Sequence, residues 1–284
     1  ISGTSGSADK TYAYGAGLYA GGALTVIGSV INGNRVSGSI VIGSYGGGIY
    51  SQGPLSVRDT VLRDNTLDDN SSVERGGGIY ASLNAVDLVN LKIVFNAGMA
   101  GDGLYLSGCT SANVVNCLVA NNDGQGLRND LCTALGVSNS IFWANGDDLA
   151  GIATNASGVM TNVWYCDIED GDNAGVQGCL SADPQFERGY YLAESSPCVN
   201  TGGATSASLG LDGRTTRADG LTDTNTVDLG YHYASGVNPA VMDLYVLGTG
   251  LDGDTGADWD HAFRSISKAL SMAEDGSHIH IGEG

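Results

Sequence analysis

The residues best suited to chemistry lie in three acidic groups. Asp252, Asp254, Asp258 and Asp260 crowd a glycine-rich loop. Oxygen ligands at alternating positions suit Ca²⁺, so Asp252, Asp254 and Asp258 are the candidate metal ligands and Ca²⁺ is the one cofactor suggested. The loop lacks the closure of an EF-hand, and Asp258 also fits a helix N-cap. Arg58 and Arg63 with Asp59 and Asp64 offer the base and carboxylates of a polysaccharide lyase. The matching positions of the next repeat hold Val89, Asn90 and Val94 to Asn96, which do not extend that set. Asp167, Glu169, Asp170 and Asp172 could supply the facing carboxylates of a hydrolase, but they sit in a turn-rich stretch. His232, His261, His278 and His280 have no nucleophile beside them in the chain. No catalytic residue is assigned, and the expectation is a non-enzyme.

What positions these groups is a repeat. Gly17-Leu18-Tyr19, Gly48-Ile49-Tyr50, Gly78-Ile79-Tyr80 and Gly103-Leu104-Tyr105 recur, then degenerate to Gly126-Leu127-Arg128. The steps are 31, 30, 25 and 23 residues. Asparagines keep the same beat at Asn34, Asn65, Asn96, Asn121 and Asn145. Two marks with one period signal stacked repeats. Within a unit, Leu55 and Val57 alternate with Ser56 and Arg58, the period of a half-buried strand. Gly53-Pro54 and Asp64-Asn65 supply the turns.

Units this short hold two or three strands and no crossover helix. The expected fold is all-β, a right-handed parallel β-helix (a solenoid), with one short amphipathic capping helix near the C-terminus. Equivalent positions then stack about 4.8 Å apart. The five asparagines become a structural ladder along one corner. The tyrosines become wall residues, or an outward row on which sugars stack. Cys109 and Cys132 each lie six residues after a repeat glycine, so the register predicts a disulfide between them. Six cysteines in all suit an oxidising exterior, with the pairing of Cys117, Cys166, Cys179 and Cys198 open.

Composition narrows the partners. Forty-five glycines with four prolines fit many tight corners between short strands. The net charge of −19 argues against nucleic acid, which needs a basic footprint. No run of about 18 apolar residues exists, so membrane insertion is not expected. The chain opens without an initiator Met or signal peptide, as expected of a mature or excised piece.

From Cys166 the text changes. Ser181-Ala182-Asp183-Pro184-Gln185-Phe186, Tyr190-Tyr191-Leu192, Ser196-Pro197-Cys198-Val199-Asn200-Thr201-Gly202, Asp212-Gly213-Arg214 and Val227-Asp228-Leu229-Gly230-Tyr231 follow in order. This series resembles the closing end of secreted bacterial right-handed β-helix repeat proteins of the surface type, within the pectate-lyase-like superfold. The resemblance covers roughly Gly15 to Tyr233. It departs at Tyr231-His232-Tyr233, which replaces the usual acidic ending, and no sorting signal follows. It implies an extracellular or cell-surface component and no activity.

The last segment reads as a strand at Asp243 to Val246, the acidic loop, a helix carrying Trp259, Phe263, Ile266 and Leu270, and a strand containing Ile279 and Ile281. It looks like the start of another β-helix, where such a helix covers the first coil. The expected division is 1–185 for the coils, 186–236 for the closing region and 237–284 for this cap. Residues Asn238 to Asp243 reach only about 20 Å, short of the roughly 30 Å back to the first coil. The cap is therefore expected to serve a neighbour. Trp259, Phe263, Ile266, Leu270, Ile279 and Ile281 are its assembly residues, and the chain is its own partner, head to tail. The expected role is a structural subunit of a filament or surface layer. The rivals are a polysaccharide lyase or hydrolase, or an adhesin with an extracellular polysaccharide as partner.

Overall fold

The computed structural model describes residues 5–6, 12–37, 42–68, 72–187, 190–234, 243–251, 259, 262–273 and 277–282. The repeat folds as an all-β parallel solenoid. The strands that begin at the repeated aliphatic-Tyr pair, Leu18–Ala20, Ile49–Ser51, Ile79–Ser82 and Leu104–Ser107, stack with Gln125–Asp130 and Asp147–Ala150 into a six-stranded parallel sheet. Its register puts Tyr50 on Tyr80 and Tyr80 on Tyr105. A ten-stranded sheet forms the longer wall, with Leu55–Arg63 and Ala85–Val94 as its longest strands. Two three-stranded sheets complete the earlier coils.

Inward aliphatics make one continuous core. Ile49, Ile79, Leu104 and Leu127 face Val57, Leu88, Val114 and Val137 from the opposite wall, all fully buried. The long wall bends at residues in the left-handed region. One column of such residues is Gly28, Asp59, Asn90, Asn116, Asn139 and Tyr165; the next is Gly33, Asp64, Phe95, Asn121 and Ala144. Asn and Asp tolerate this conformation better than other side chains, which explains their density at the corners.

The column of true rungs is Asn34, Asn65, Asn96, Asn122 and Asn145. Asn122, not Asn121, is the rung of the fourth coil. The two adjacent asparagines fit the period almost equally well, and the corner geometry separates them. Asn121 is the left-handed corner residue (φ 51°) and its Nδ2 donates to the Tyr190 hydroxyl at 2.6 Å. From Asn34 to Asn122, each rung donates Nδ2 to Oδ1 of the next at 2.9–3.0 Å. The same Oδ1 accepts the backbone N–H of the preceding rung at 3.0–3.2 Å. From Asn65 onward, Nδ2 also reaches a carbonyl one coil back, of Ile31, Leu62, Ile93 or Val119.

This ladder explains the glycines. A β-carbon at Gly17, Gly48, Gly78, Gly103 or Gly126 would lie 2.9–3.3 Å from the amide nitrogen of its own coil's rung. It would also lie 2.5–2.9 Å from a carbonyl oxygen of the next coil. Glycine is needed there for close approach, and the two sequence marks keep one period because they touch.

Replacing Asn96 with Ala would leave two buried donors of Asn65 without an acceptor, at about 1–3 kcal/mol each. Denaturant unfolding should show a loss of roughly 2–4 kcal/mol for Asn96→Ala and Asn122→Ala. Asn121→Gly, which keeps the corner and loses one hydrogen bond, should cost about 1 kcal/mol. Equal losses at 121 and 122 would contradict the assignment.

Candidate functional site

Phe186 and the segment 190–234 pack along the outer face of the long wall. Leu192, Cys198 and Leu229 bury against Val94, Leu118, Ala120 and Ile141. The corner column is its docking line. Asn90 exchanges two hydrogen bonds with the His232 backbone, at 2.6 and 2.9 Å. Asn116 donates to the Asp228 carbonyl at 3.2 Å, and Asn139 accepts from Gly203 N–H at 2.8 Å. Asp59 pairs with Arg214 at 2.9 Å. The buried Lys92 ammonium lies 5.4 Å from the Tyr190 ring and 5.5 Å from the Tyr233 ring. Inside the segment, His232 is fully buried with Nε2 2.8 Å from Asp223 and Nδ1 3.1 Å from the Gly230 carbonyl. Asp228 accepts from Thr216 and from the Asn200 N–H, and burial raises its carboxyl. These polar groups are the framework of the segment.

The lyase and hydrolase candidates are spread among structural partners. Arg58 pairs with Asp87 at 3.5 Å and Arg63 with Asp64 at 3.8 Å. Asp167 is buried, accepting from the Ala182 N–H at 3.0 Å and from the Cys198 thiol at 3.1 Å. Asp252, Asp254 and Asp258 lie outside the described residues. Among the described residues, no group of three His, Cys, Asp or Glu side chains could hold a metal ion.

The Cys109–Cys132 disulfide expected from the register is not formed, and all six cysteines are free thiols. The register does bring the two together, with the Cys109 N–H 3.3 Å from Cys132 Sγ. The Cys109 thiol itself is directed at the Ala81 carbonyl, 3.6 Å away, and no bond joins the two sulfurs. The neighbouring Cys109 holds the Cys132 thiol below its usual range. The Cys166 and Cys179 thiols are likewise directed at carbonyls, of Trp164 and Val163, while Cys117 and Cys198 are buried and their thiols are pushed up chiefly by burial.

The repeat tyrosines stack as a row. Successive centroids from Tyr19 through Tyr50 and Tyr80 to Tyr105 are 5.4, 5.3 and 5.5 Å apart, with rings within 20° of parallel. Both faces of Tyr50 and Tyr80 are thus taken by neighbouring rings, leaving edges and hydroxyls rather than a face for a sugar. A second row, Tyr14, Tyr45 and Arg75, lies beside the first. This second row was missed although it keeps the beat: Tyr14, Tyr45 and Arg75 each stand three residues before the repeat glycine, at Gly17, Gly48 and Gly78. A shallow groove of about 250 Å³ crosses the long wall elsewhere, lined by Thr25, Ser56, Asp87 and Asn113 among others.

The expected assembly residues divide. Asp243–Val246 pairs in parallel with His278–Ile281 and bridges to Phe263. Phe263 is fully buried with Leu244, Val246 and Ala269, and Ile279 packs against them. The helix Ile266–Met272 starts at Ser265, whose hydroxyl accepts from the Lys268 N–H at 3.1 Å. Trp259, Ile266, Leu270 and Ile281 are exposed. Among the described residues, no helix is long and apolar enough to cross a membrane. No protein-family model, no curated protein and no solved structure matches the chain.

Two carboxyls stand out on the inner corner. Asp102 occupies the register position of Gly47 and Gly77; its Oδ1 has no partner, and burial, then the nearby Asp123, pushes it up to about 6. Burial likewise pushes Asp148 up to about 6. In the unfolded chain such groups titrate near 3.9. Between about pH 4 and 6 the folded state binds more protons, so stability falls as pH rises through that window. The melting temperature should be higher at about pH 5.5 than at about pH 7.5. Relief of general acidic repulsion acts in the same direction. The diagnostic result is therefore Asp102→Asn, which should raise the melting temperature at the higher pH and flatten the profile.

Cys132 is partly exposed and should be the first thiol alkylated. Its rate should reach half-maximum below the pH of about 8.5 typical of free cysteine. Cys132→Ser should remove the fast phase; an unchanged fast phase would show that another thiol reacts.

Proposed function

We propose that the chain is a non-catalytic, extracellular structural subunit that assembles head to tail. One observation carries this reading: two separate parts of the chain expose apolar side chains beside a parallel strand edge. On the first coil Tyr12, Tyr14, Tyr19, Ile27 and Val30 are exposed. Among the described residues the strands Leu18–Ala20 and Leu24–Ile27 pair on one side only. In the C-terminal unit Trp259, Ile266, Leu270 and Ile281 are exposed, and His278–Ile281 is likewise an edge strand. An apolar edge of this kind is a template for another chain. Joining unlike patches gives a heterologous contact, which builds an open filament where the rotation between subunits does not close a ring. The extracellular placement rests on the ordered phrases from Ser181 to Tyr231.

Negative-stain microscopy of the intact chain should show filaments. Assembly should be favoured by moderate salt, which screens repulsion between subunits of charge −19. Ile266→Glu with Leu270→Glu should abolish the filaments and leave the melting temperature of the solenoid unchanged. Monomers alone at every salt and protein concentration would overturn the proposal.

A further inference from the structure

In a chain this acidic, an arginine without a carboxylate is conspicuous. Arg35, Arg58, Arg63, Arg214 and Arg217 each meet one. Arg75, Arg128 and the exposed Arg264 have no ion-pair partner among the described residues, and the first two lie against the same tyrosine. The Arg75 guanidinium is 5.0 Å from the centre of the Tyr105 ring. Arg128 is the register partner of Tyr105 on the next coil, at the position the tyrosine row would have continued. The two side chains fit side by side because Gly101 (φ +57°) lies beneath them: a β-carbon there would be 2.9 Å from Tyr105 Cβ and 3.0 Å from Arg128 Cβ. Arg128 Nε is buried and makes no hydrogen bond. The Tyr105 hydroxyl is 3.0 Å from Asp130, which is partly exposed and can accept from a further hydroxyl.

We infer that Arg75, Tyr105, Arg128 and Asp130 form a binding site for an acidic glycan. The guanidinium fork matches a carboxylate or sulfate in a plane and is lightly hydrated, so it gains from leaving water for an anion. Asp130 and the tyrosine hydroxyl edge suit the ring hydroxyls of the same sugar. Two cations beside one ring repel until an anion joins them, and an unpartnered buried donor is costly for stability alone. Burial pushes the Tyr105 phenol up to about 12, with both arginine charges working against it, so the tyrosine stays a neutral hydroxyl. The inference stands independently of head-to-tail assembly.

Calorimetric titration with three oligosaccharides of equal length tests it: a uronate, a sulfated glucan and the neutral glucan. Binding is expected for one or both acidic ligands and not for the neutral one, and the two acidic arms show which anion is preferred. Arg75→Ala and Arg128→Ala should each weaken binding at least tenfold. Arg128→Lys should weaken it also, because the fork is lost. Arg128→Met should abolish binding yet melt at or above the parent temperature, since it removes the orphaned donor. Equal affinity for neutral and acidic ligands, parental affinity in the alanine variants, no binding to any of the three, or a strongly destabilised Arg128→Met would each overturn the inference.

Discussion

The fold depends on one contact, the asparagine side chain of each coil lying against a bare glycine Cα. The amide both donates and accepts, so one residue type can bond to the coil above and the coil below without changing from rung to rung. That symmetry is what a solenoid needs, because each coil sees only its neighbours. The cost is space: the amides run through the corner where the next strand begins, and a β-carbon there would collide with them. Neither residue can change alone, so the two columns stay locked in step through coils whose length falls from 31 residues to 23.

A second set of asparagines does different work with the same chemistry. At the outer corner, Asn90, Asn116 and Asn139 take the left-handed conformation and turn their amides outward. Their partners are the backbone groups of a segment distant in sequence, up to 142 residues away. This face of the long wall is apolar at Leu118 and Ile141 and would be a liability if open, and the returning segment covers it. Hydrophobic burial supplies the attraction, and the asparagine column sets where along the wall each turn of the segment docks. The buried His232–Asp223 and Thr216–Asp228 contacts then fix the segment's own shape where little regular structure exists.

How much of this was legible in the sequence follows from periodicity. The coil, its glycine phrase and four of the five rungs could be read because stacking repeats each local environment. The fourth rung was misplaced at Asn121, since a shortening coil lets two adjacent asparagines satisfy the beat and only the corner dihedral distinguishes them. The path of residues 190–234 along the flank was not legible: its contacts are long-range and occur once each. The partnership of Arg75 with Tyr105 was hidden because it runs from one column of the coil to the other column one coil on, and such a contact occurs once. The available signals were Arg128 and Arg75, each standing where the preceding repeats carry a tyrosine. The thiol pair was readable as a neighbourhood and not as a bond, because register fixes which coils adjoin but not the chemical state of the sulfurs.

The end of the ladder follows from its direction. Each Nδ2 points to the Oδ1 of the following rung, so the last rung needs an acceptor that asks for no further acceptor beyond it. Continuing the register that pairs Ile141 with Asp167, Gly171 stands where the next rung belongs and has no side chain to offer. With that rung empty, the glycine column is free to carry a side chain, and Asp148 takes the place that Gly126 holds one coil earlier. Its Oδ1 accepts from Asn145 at 2.9 Å, and its Oδ2 accepts the Glu169 N–H, also at 2.9 Å. A carboxylate only accepts, so the chain of donors stops. Burial favours a proton on Asp148, while the donors converging on it favour the charge; burial is the larger effect. Asparagine and glycine thus exchange for glycine and aspartate at the final corner, and the exchange that closes the polar ladder coincides with the last paired strands of the coil.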